Sequence, residues 1–255
     1  MSDLFDLSGK VAVVTGGSRG MGREMILAFA QHGADVVIAS RKLDACEELA
    51  EEVRDTTGRQ ALPVACHVGY WDQCDALCDT VYDEFGRCDV LVNNAGLSPL
   101  YPSLYDVTEE LYSKVMDVNL KGPFRLSAAF GKRMFDSEGG SIINVSSVAA
   151  VEPTPNETAY GAAKAGVHAI TKSFAREYGP KVRVNCIMPG PFLTDISKAW
   201  DMDVFNARAE TDIPLRRGGE ADEIVGAALY FASAASSYTT GAILKVDGGT
   251  GWAAG

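Results

Sequence analysis

Tyr160 and Lys164 bracket the stretch Tyr160-Gly161-Ala162-Ala163-Lys164, which reads as helix, so a spacing of four puts both side chains on one face. A phenol titrates near 10 in water, and moving its proton at neutral pH asks for a shift of about three units, roughly 4 kcal/mol. A neighbouring ammonium lowers an acid by about 1 to 3 units, the size of effect such chemistry needs. Taken alone, the spacing is common by chance and favours a solvated surface Tyr/Lys pair. Ser147, thirteen residues before Tyr160, closes the apolar run Ile142-Ile143-Asn144-Val145-Ser146-Ser147. Ligands of open α/β sheets bind beyond the carboxyl ends of the strands, so a serine there can hold a carbonyl oxygen while a phenol protonates it. A nucleophilic serine would need a histidine partner. Of His32, His67 and His168, only His67 falls near the carboxyl end of a predicted strand, and it reads as a residue on the cofactor side.

A second cluster lies near the N-terminus, in Thr15-Gly16-Gly17-Ser18-Arg19-Gly20-Met21-Gly22. Gly16, Gly20 and Gly22 fall where a β-branched run ends and a helical pattern begins. The first amides of that helix and its positive end would face whatever lies over the turn, and a pyrophosphate suits that place. Glycine serves a positive φ, a close approach of phosphate to backbone, and tight packing of helix on strand. A plain strand-to-helix turn is the alternative. About twenty residues on, a second strand ends in Ser40-Arg41-Lys42, where selectivity for NAD would place an acid; Asp35 is at the wrong end of the strand and Asp44 a turn too far. Arg41 and Ser40, flanked by Arg19, suit a 2′-phosphate, so NADP(H) is expected over NAD(H). A solvated helix start is the blander reading of Arg41 and Lys42.

These residues need a scaffold, and the sequence supplies one. β-branched runs at 10–15, 35–39, 61–65, 88–92, 140–145, 181–187 and 242–246 alternate with helical patterns. Near-continuous apolar runs such as Val11-Ala12-Val13-Val14 mark strands buried on both faces, hence an α/β class with a parallel sheet covered by helices on both sides. No repeat or linker divides the 255 residues, so 1–255 is expected to form one domain, with a substrate-covering lid at about 190–219 carrying Phe192, Trp200, Met202 and Phe205. A net charge of −11 argues against nucleic acid as partner, and no apolar run reaches the roughly 18 to 20 residues of a membrane span. The six cysteines and three histidines lack metal-ligand spacing. An acidic N-terminus without a secretory pattern suggests a cytoplasmic protein.

The motifs in order, Thr15 to Gly22, Asn93-Asn94-Ala95-Gly96, Asn119, Ser147, Tyr160-x-x-x-Lys164 and Pro189-Gly190, resemble the short-chain dehydrogenase/reductase family over nearly the whole chain. The resemblance implies a seven-stranded Rossmann fold, with Tyr160 the general acid/base, Ser147 orienting the substrate, Lys164 holding the nicotinamide ribose and lowering the Tyr160 pKa, and Asn119 positioning a relay water. It also implies cofactor contacts from Gly16, Ser18, Arg19, Gly20, Met21 and Gly22, from Ser40, Arg41, His67 and Val68, from Asn94, Ala95 and Gly96, and from Pro189, Gly190, Phe192 and Thr194. Two positions depart from the pattern. His67 replaces a common aspartate beside the adenine, and Phe192, in place of a small branched residue, would narrow the nicotinamide pocket. Ser40-Arg41-Lys42 with Cys66-His67-Val68-Gly69 looks most like the NADPH-dependent carbonyl and retinal reductase branch. The expected substrate is a carbonyl compound or alcohol, apolar if Leu97, Leu100, Tyr101 and the bulky lid residues line its site. The expected assembly is a homotetramer. A non-catalytic NADP(H) sensor would need only the glycine loop and the 2′-phosphate site, and a methyltransferase would leave Tyr160 and Lys164 unexplained.

Overall fold

The computed structural model describes residues 4–194, 197 and 200–252. Seven strands form one parallel sheet: β1 (Val11–Thr15), β2 (Asp35–Ser40), β3 (Ala61–Ala65), β4 (Val90–Asn93), β5 (Gly140–Val145), β6 (Val182–Pro189) and, after two short strands introduced below, β9 (Ile243–Val246). Their order is β3-β2-β1-β4-β5-β6-β9. The chain therefore builds one half outward from β1 and the other outward from β4, and the two halves part at the carboxyl ends of those neighbours, where a crevice opens.

Alternation along each strand feeds two cores. Ala12, Val14, Val36 and Ile38 face α1 (Gly20–Gln31), α2 (Leu43–Thr57) and α8 (Val225–Ala232). Val11, Val13, Val37 and Ala39 face α3 (Trp71–Phe85), α5 (Gly122–Asp136) and α6 (Thr158–Glu177). Because β1 pairs with a strand on each edge and is packed on both faces, all five of its residues are buried, which is why it reads as an unbroken apolar run.

Two features have no counterpart in the sequence expectation. Residues 109–136 are not one regular helix: α4 (Glu109–Met116) runs into a π turn over Asp117–Lys121 before α5 begins. Pro123 accounts for it, since it lacks the N-H that an α register would direct at the Asn119 carbonyl. Segment 190–219 is also more regular than expected. It contains α7 (Met202–Asp212) and is tied at its base by a two-residue parallel pairing of β7 (Phe192–Leu193) with β8 (Gly219–Glu220). Of the expected lid, residues 195, 196, 198 and 199 lie outside the described residues, as do 1–3 and 253–255 of the expected domain.

Candidate active site

The glycine turn sits at the carboxyl end of β1, as its pattern predicts. Gly16 and Gly20 have φ of +63° and +53°, a region that side chains disfavour. A Cβ on Gly22 would lie 2.2 Å from the Gly16 carbonyl oxygen and 2.7 Å from Asn94 Nδ2, so nothing larger fits beneath the turn. Arg19 occupies the N-cap position of α1 in an extended conformation, its side chain makes no cap hydrogen bond, and the first turn carries no acid. The first amides of α1 thus keep their donors and the helix keeps its positive end, an environment that fits the pyrophosphate of a dinucleotide. Thr194 Cβ lies 3.5 Å from where a Gly20 Cβ would sit, which brings the start of the 190–219 segment onto the turn. Ser18 and Met21 flank it, Met21 packing partly into the core.

Asn94 does something the sequence reading did not foresee. Its Nδ2 donates to the carbonyls of Thr15 (3.0 Å) and Gly16 (3.2 Å), while Thr15 Oγ1 accepts from the amides of Asn94 (3.1 Å) and Ala95 (3.2 Å). Its side chain staples the end of β4 to the glycine turn. Gly96 is the hub of the next layer. A Cβ there would sit 3.0 Å from Asn119 Oδ1 and 3.6 Å from Lys164 Nζ, so these residues from the π turn and α6 converge on the β4 end.

Asn119 is fully buried. Its Oδ1 accepts from the Leu97 amide (3.2 Å), and Nδ2 donates to the carbonyls of Leu97 (2.8 Å) and Val115 (2.9 Å). Both amide protons are thereby engaged. In an α register its main-chain carbonyl would accept from residue 123, where Pro123 has no N-H to give.

Ser147 and Tyr160 come together at the carboxyl end of β5, near enough for the serine hydroxyl to lower the phenol. The Ser147 hydroxyl also accepts from the Ala149 amide at 3.2 Å, which fixes its direction. Lys164 is 3% exposed, donates to the Val145 carbonyl at 2.8 Å, and places Nζ 5.7 Å from the centre of the Tyr160 ring. Electrostatics correct one expectation. Burial pushes the Tyr160 phenol up to about 12, the Ser147 hydroxyl pulls it down and Glu157 raises it again. Lys164 does not lower it in this arrangement: its own burial brings the amine down to about 8, with Cys186 acting the other way, so it has lost its charge before a phenol near 12 ionises. Although the Tyr160 ring is only half-buried, its hydroxyl end is deep enough for desolvation to dominate.

The remaining positions spread along the crevice. Ser40 ends β2 half-buried and Arg41 is exposed beside it. His67 is half-buried, its Nδ1 accepting from the Gly69 amide (3.1 Å) and its ring 4.8 Å from that of Tyr70, while Val68 is buried below. Pro189 ends β6, and a Cβ on Gly190 would meet Asp247 at 2.7 Å. Phe192 corrects another expectation. It is 7% exposed and packs in the core with Ile187 and Ile224 against Gly219, so its ring does not narrow the crevice. The sequence reading missed Thr15 and the buried chain Ser127–Asn93–Asn144–Thr171 that supports β5 and α6. Polar residues inside apolar runs were the available signal.

Comparison with known proteins agrees with this geometry. A family model described as enoyl-(acyl carrier protein) reductase matches residues 16–251. A 3-oxoacyl-[acyl-carrier-protein] reductase from Chlamydia muridarum is 38% identical over 244 residues, 95% of this chain and 98% of that protein. The chain belongs to the short-chain dehydrogenase/reductase family. Among solved members, a short-chain type dehydrogenase/reductase from Mycobacterium marinum superposes with a TM-score of 0.91 at 37% identity, covering 97% of this chain and 98% of that one. An NADPH-dependent 3-quinuclidinone reductase from Rhodotorula rubra gives 0.92 at 31% identity, covering 97% and 93%. Membership makes this dehydrogenase/reductase an oxidoreductase that works with a nicotinamide cofactor, and no helix among its described residues is long and apolar enough to cross a membrane.

Proposed function

We propose that this protein transfers hydride between NADP(H) and a ketone or aldehyde, or the corresponding secondary alcohol, with Tyr160 as general acid/base. The observation that carries the reading is the meeting of Ser147, Tyr160 and the buried Lys164 at the carboxyl end of β5, beside an uncapped glycine turn. When bound, the reduced dinucleotide supplies the hydride. Ser147, aimed by the Ala149 amide, orients the carbonyl oxygen, and Tyr160 Oη gives it a proton. Lys164 holds the ribose and, once turned from Val145, lends positive charge to the phenol. The Asn119 carbonyl holds a water that returns the proton, and the Asn119 side chain fixes Leu97 and the π turn.

Preference for NADP(H) rests on Arg41 with Ser40 and on the absence of an acid at the end of β2. Several features fit a carbonyl reductase taking an apolar small molecule: the buried Tyr101, whose Oη lies 3.5 Å from the Ala159 amide, the exposed Leu100 close by in sequence, and a relative named for reducing a cyclic ketone. A homotetramer assembled through the helices around 108–135 and 157–178 is part of the same reading, as is a cytoplasmic setting, where six unpaired buried thiols would stay reduced. Residues 190–219 serve as the cover of the site.

The test follows NADPH or NADH oxidation against ketones, aldehydes, quinones and 3-oxoacyl thioesters, with Tyr160→Phe alongside. Carbonyl turnover with NADPH is expected in the wild type. In Tyr160→Phe the rate should fall by about 10² to 10⁴-fold while NADPH still binds. A wild type that binds NADPH and reduces nothing in the panel would leave a dinucleotide sensor as the better reading.

A further inference from the structure

The end of β5 is bonded to α6 at three successive residues. Asn144 Nδ2 donates to Thr171 Oγ1 (2.9 Å), the Val145 carbonyl accepts from Lys164 Nζ (2.8 Å), and Ser146 Oγ donates to the Lys164 main-chain carbonyl (3.1 Å). These side chains lie in the interior, Ser146 at 2% exposure. Ser146 is also fixed from its other side, where its amide donates to the Ile187 carbonyl of β6 at 2.8 Å. One lysine is thus held at both ends, its main chain by Ser146 and its amine by Val145. The two grips differ in what they leave free. To hold a ribose, Nζ must let go of the Val145 carbonyl, whereas the Ser146 bond engages the backbone alone and persists while the side chain turns.

Packing does little to set the rotation of the helix here. The first turns of α6 meet the strand end through Ala159, Gly161 and Ala163, and a Cβ on Gly161 would lie 2.6 Å from the Ala149 carbonyl oxygen and 2.7 Å from the Pro153 side chain. Such small residues allow close approach but offer few ridges to interlock, so the polar bonds decide how the helix sits. A buried hydroxyl is costly unless it bonds, and an alanine would fill the place with nothing to satisfy. Building on the hydride-transfer reading above, we propose that Ser146 is a positioning residue for the reaction: its hydroxyl pins the backbone of Lys164, so that the amine can swing to the cofactor while Tyr160, one turn earlier on the same face, stays opposite Ser147. Ser146 and Ser147 are adjacent, so both sides of the reacting pair are referred to one strand end.

The first test needs no ligand. In cofactor-free Ser146→Ala, amides of 158–168 should exchange hydrogen about fivefold faster than in the wild type, while 169–177, still held by Asn144, stay unchanged. NADPH titrations complete a cycle: Ser146→Ala should weaken binding about threefold where Lys164 is present and not at all in a Lys164→Met background. On the panel compound that the wild type reduces fastest, Ser146→Ala should lower kcat about tenfold at saturating NADPH, with KM changed less than about twofold. Ser146→Cys, which fills the space but donates weakly, should behave like Ser146→Ala. Unchanged exchange over 158–168, unchanged kcat, an NADPH effect that persists without Lys164, or a Ser146→Cys variant indistinguishable from the wild type would each overturn the inference. A wild type that reduces nothing in the panel ends the hydride-transfer reading and this role with it, whereas ketone reduction unaffected by Ser146→Ala ends this role alone.

Discussion

At the scale of single residues, Lys164 sets function against stability. Its amine is 3% exposed and its pKa is brought down to about 8 by burial, so near neutrality the folded chain keeps a charge where water cannot reach it. The unfolded chain binds that proton more tightly than the folded one at any pH between about 8 and the ordinary lysine value. Stability therefore rises with pH across that window and the penalty is fully present below it. Lys164→Met is expected to abolish most activity and yet raise unfolding free energy at pH 7 by a few kcal/mol, of order 3, with the gain fading toward pH 10. Parallel chemical denaturation of both proteins at pH 7 and pH 9.5 measures it. A variant less stable than the wild type at both values would mean that the bond to the Val145 carbonyl outweighs the burial. That Tyr160 and Lys164 share a helix face and that Ser147 ends a strand was legible from spacing, a local property, but spacing left a solvated pair open and only the order of motifs along the chain gave these residues their roles. The direction of the Tyr160 shift also escaped the sequence, since depth of burial is a property of the assembled fold.

At the scale of elements, the π turn is what brings Asn119 to the site. With Pro123 at the start of α5, the Asn119 carbonyl has no α-helical donor, the register slips, and the Asn119 side chain can clamp Leu97 beside Gly96. Pro123→Ala restores the missing N-H and favours an unbroken α register across 109–136. It should lower kcat about tenfold, with little change in NADPH affinity, and enlarge the solvent isotope effect as proton return becomes slower. Unchanged kcat would show that the relay does not pass the Asn119 carbonyl. The strands were easier to read. The inner residues of 11–15, 35–40 and 140–145 are buried and mostly apolar, while β6 extends beyond the expected 181–187 because its end, Met188-Pro189, carries no β-branched signal. The β7–β8 pairing, two residues on each side, is too short for any periodicity, and the π turn depends on a donor missing four residues downstream.

At the scale of the whole molecule, one face is unusually apolar for a chain of net charge −11. Met116, Leu120, Phe124 and Ile170 line a groove between the π turn and α6, floored by Gly166, where a Cβ would lie 2.9 Å from Leu120. Phe124 is 41% exposed, with Trp71 at 6.3 Å on one side and Phe174 at 5.4 Å on the other. Two such faces related by a two-fold axis would cover each other's aromatic rows, and the pairing would brace α6, the helix that carries Tyr160 and Lys164. Light scattering should therefore find at least a two-chain particle rather than a 27.1 kDa monomer, and the four-chain particle of the proposal where a second face pairs as well. Ile170→Glu, which sets a charge in the groove, should yield particles of lower mass with reduced kcat, since α6 loses its brace while the glycine turn, on the far side of β4, still binds NADPH. A variant that stays tetrameric would place the interface elsewhere, and one that dissociates with kcat intact would separate assembly from catalysis.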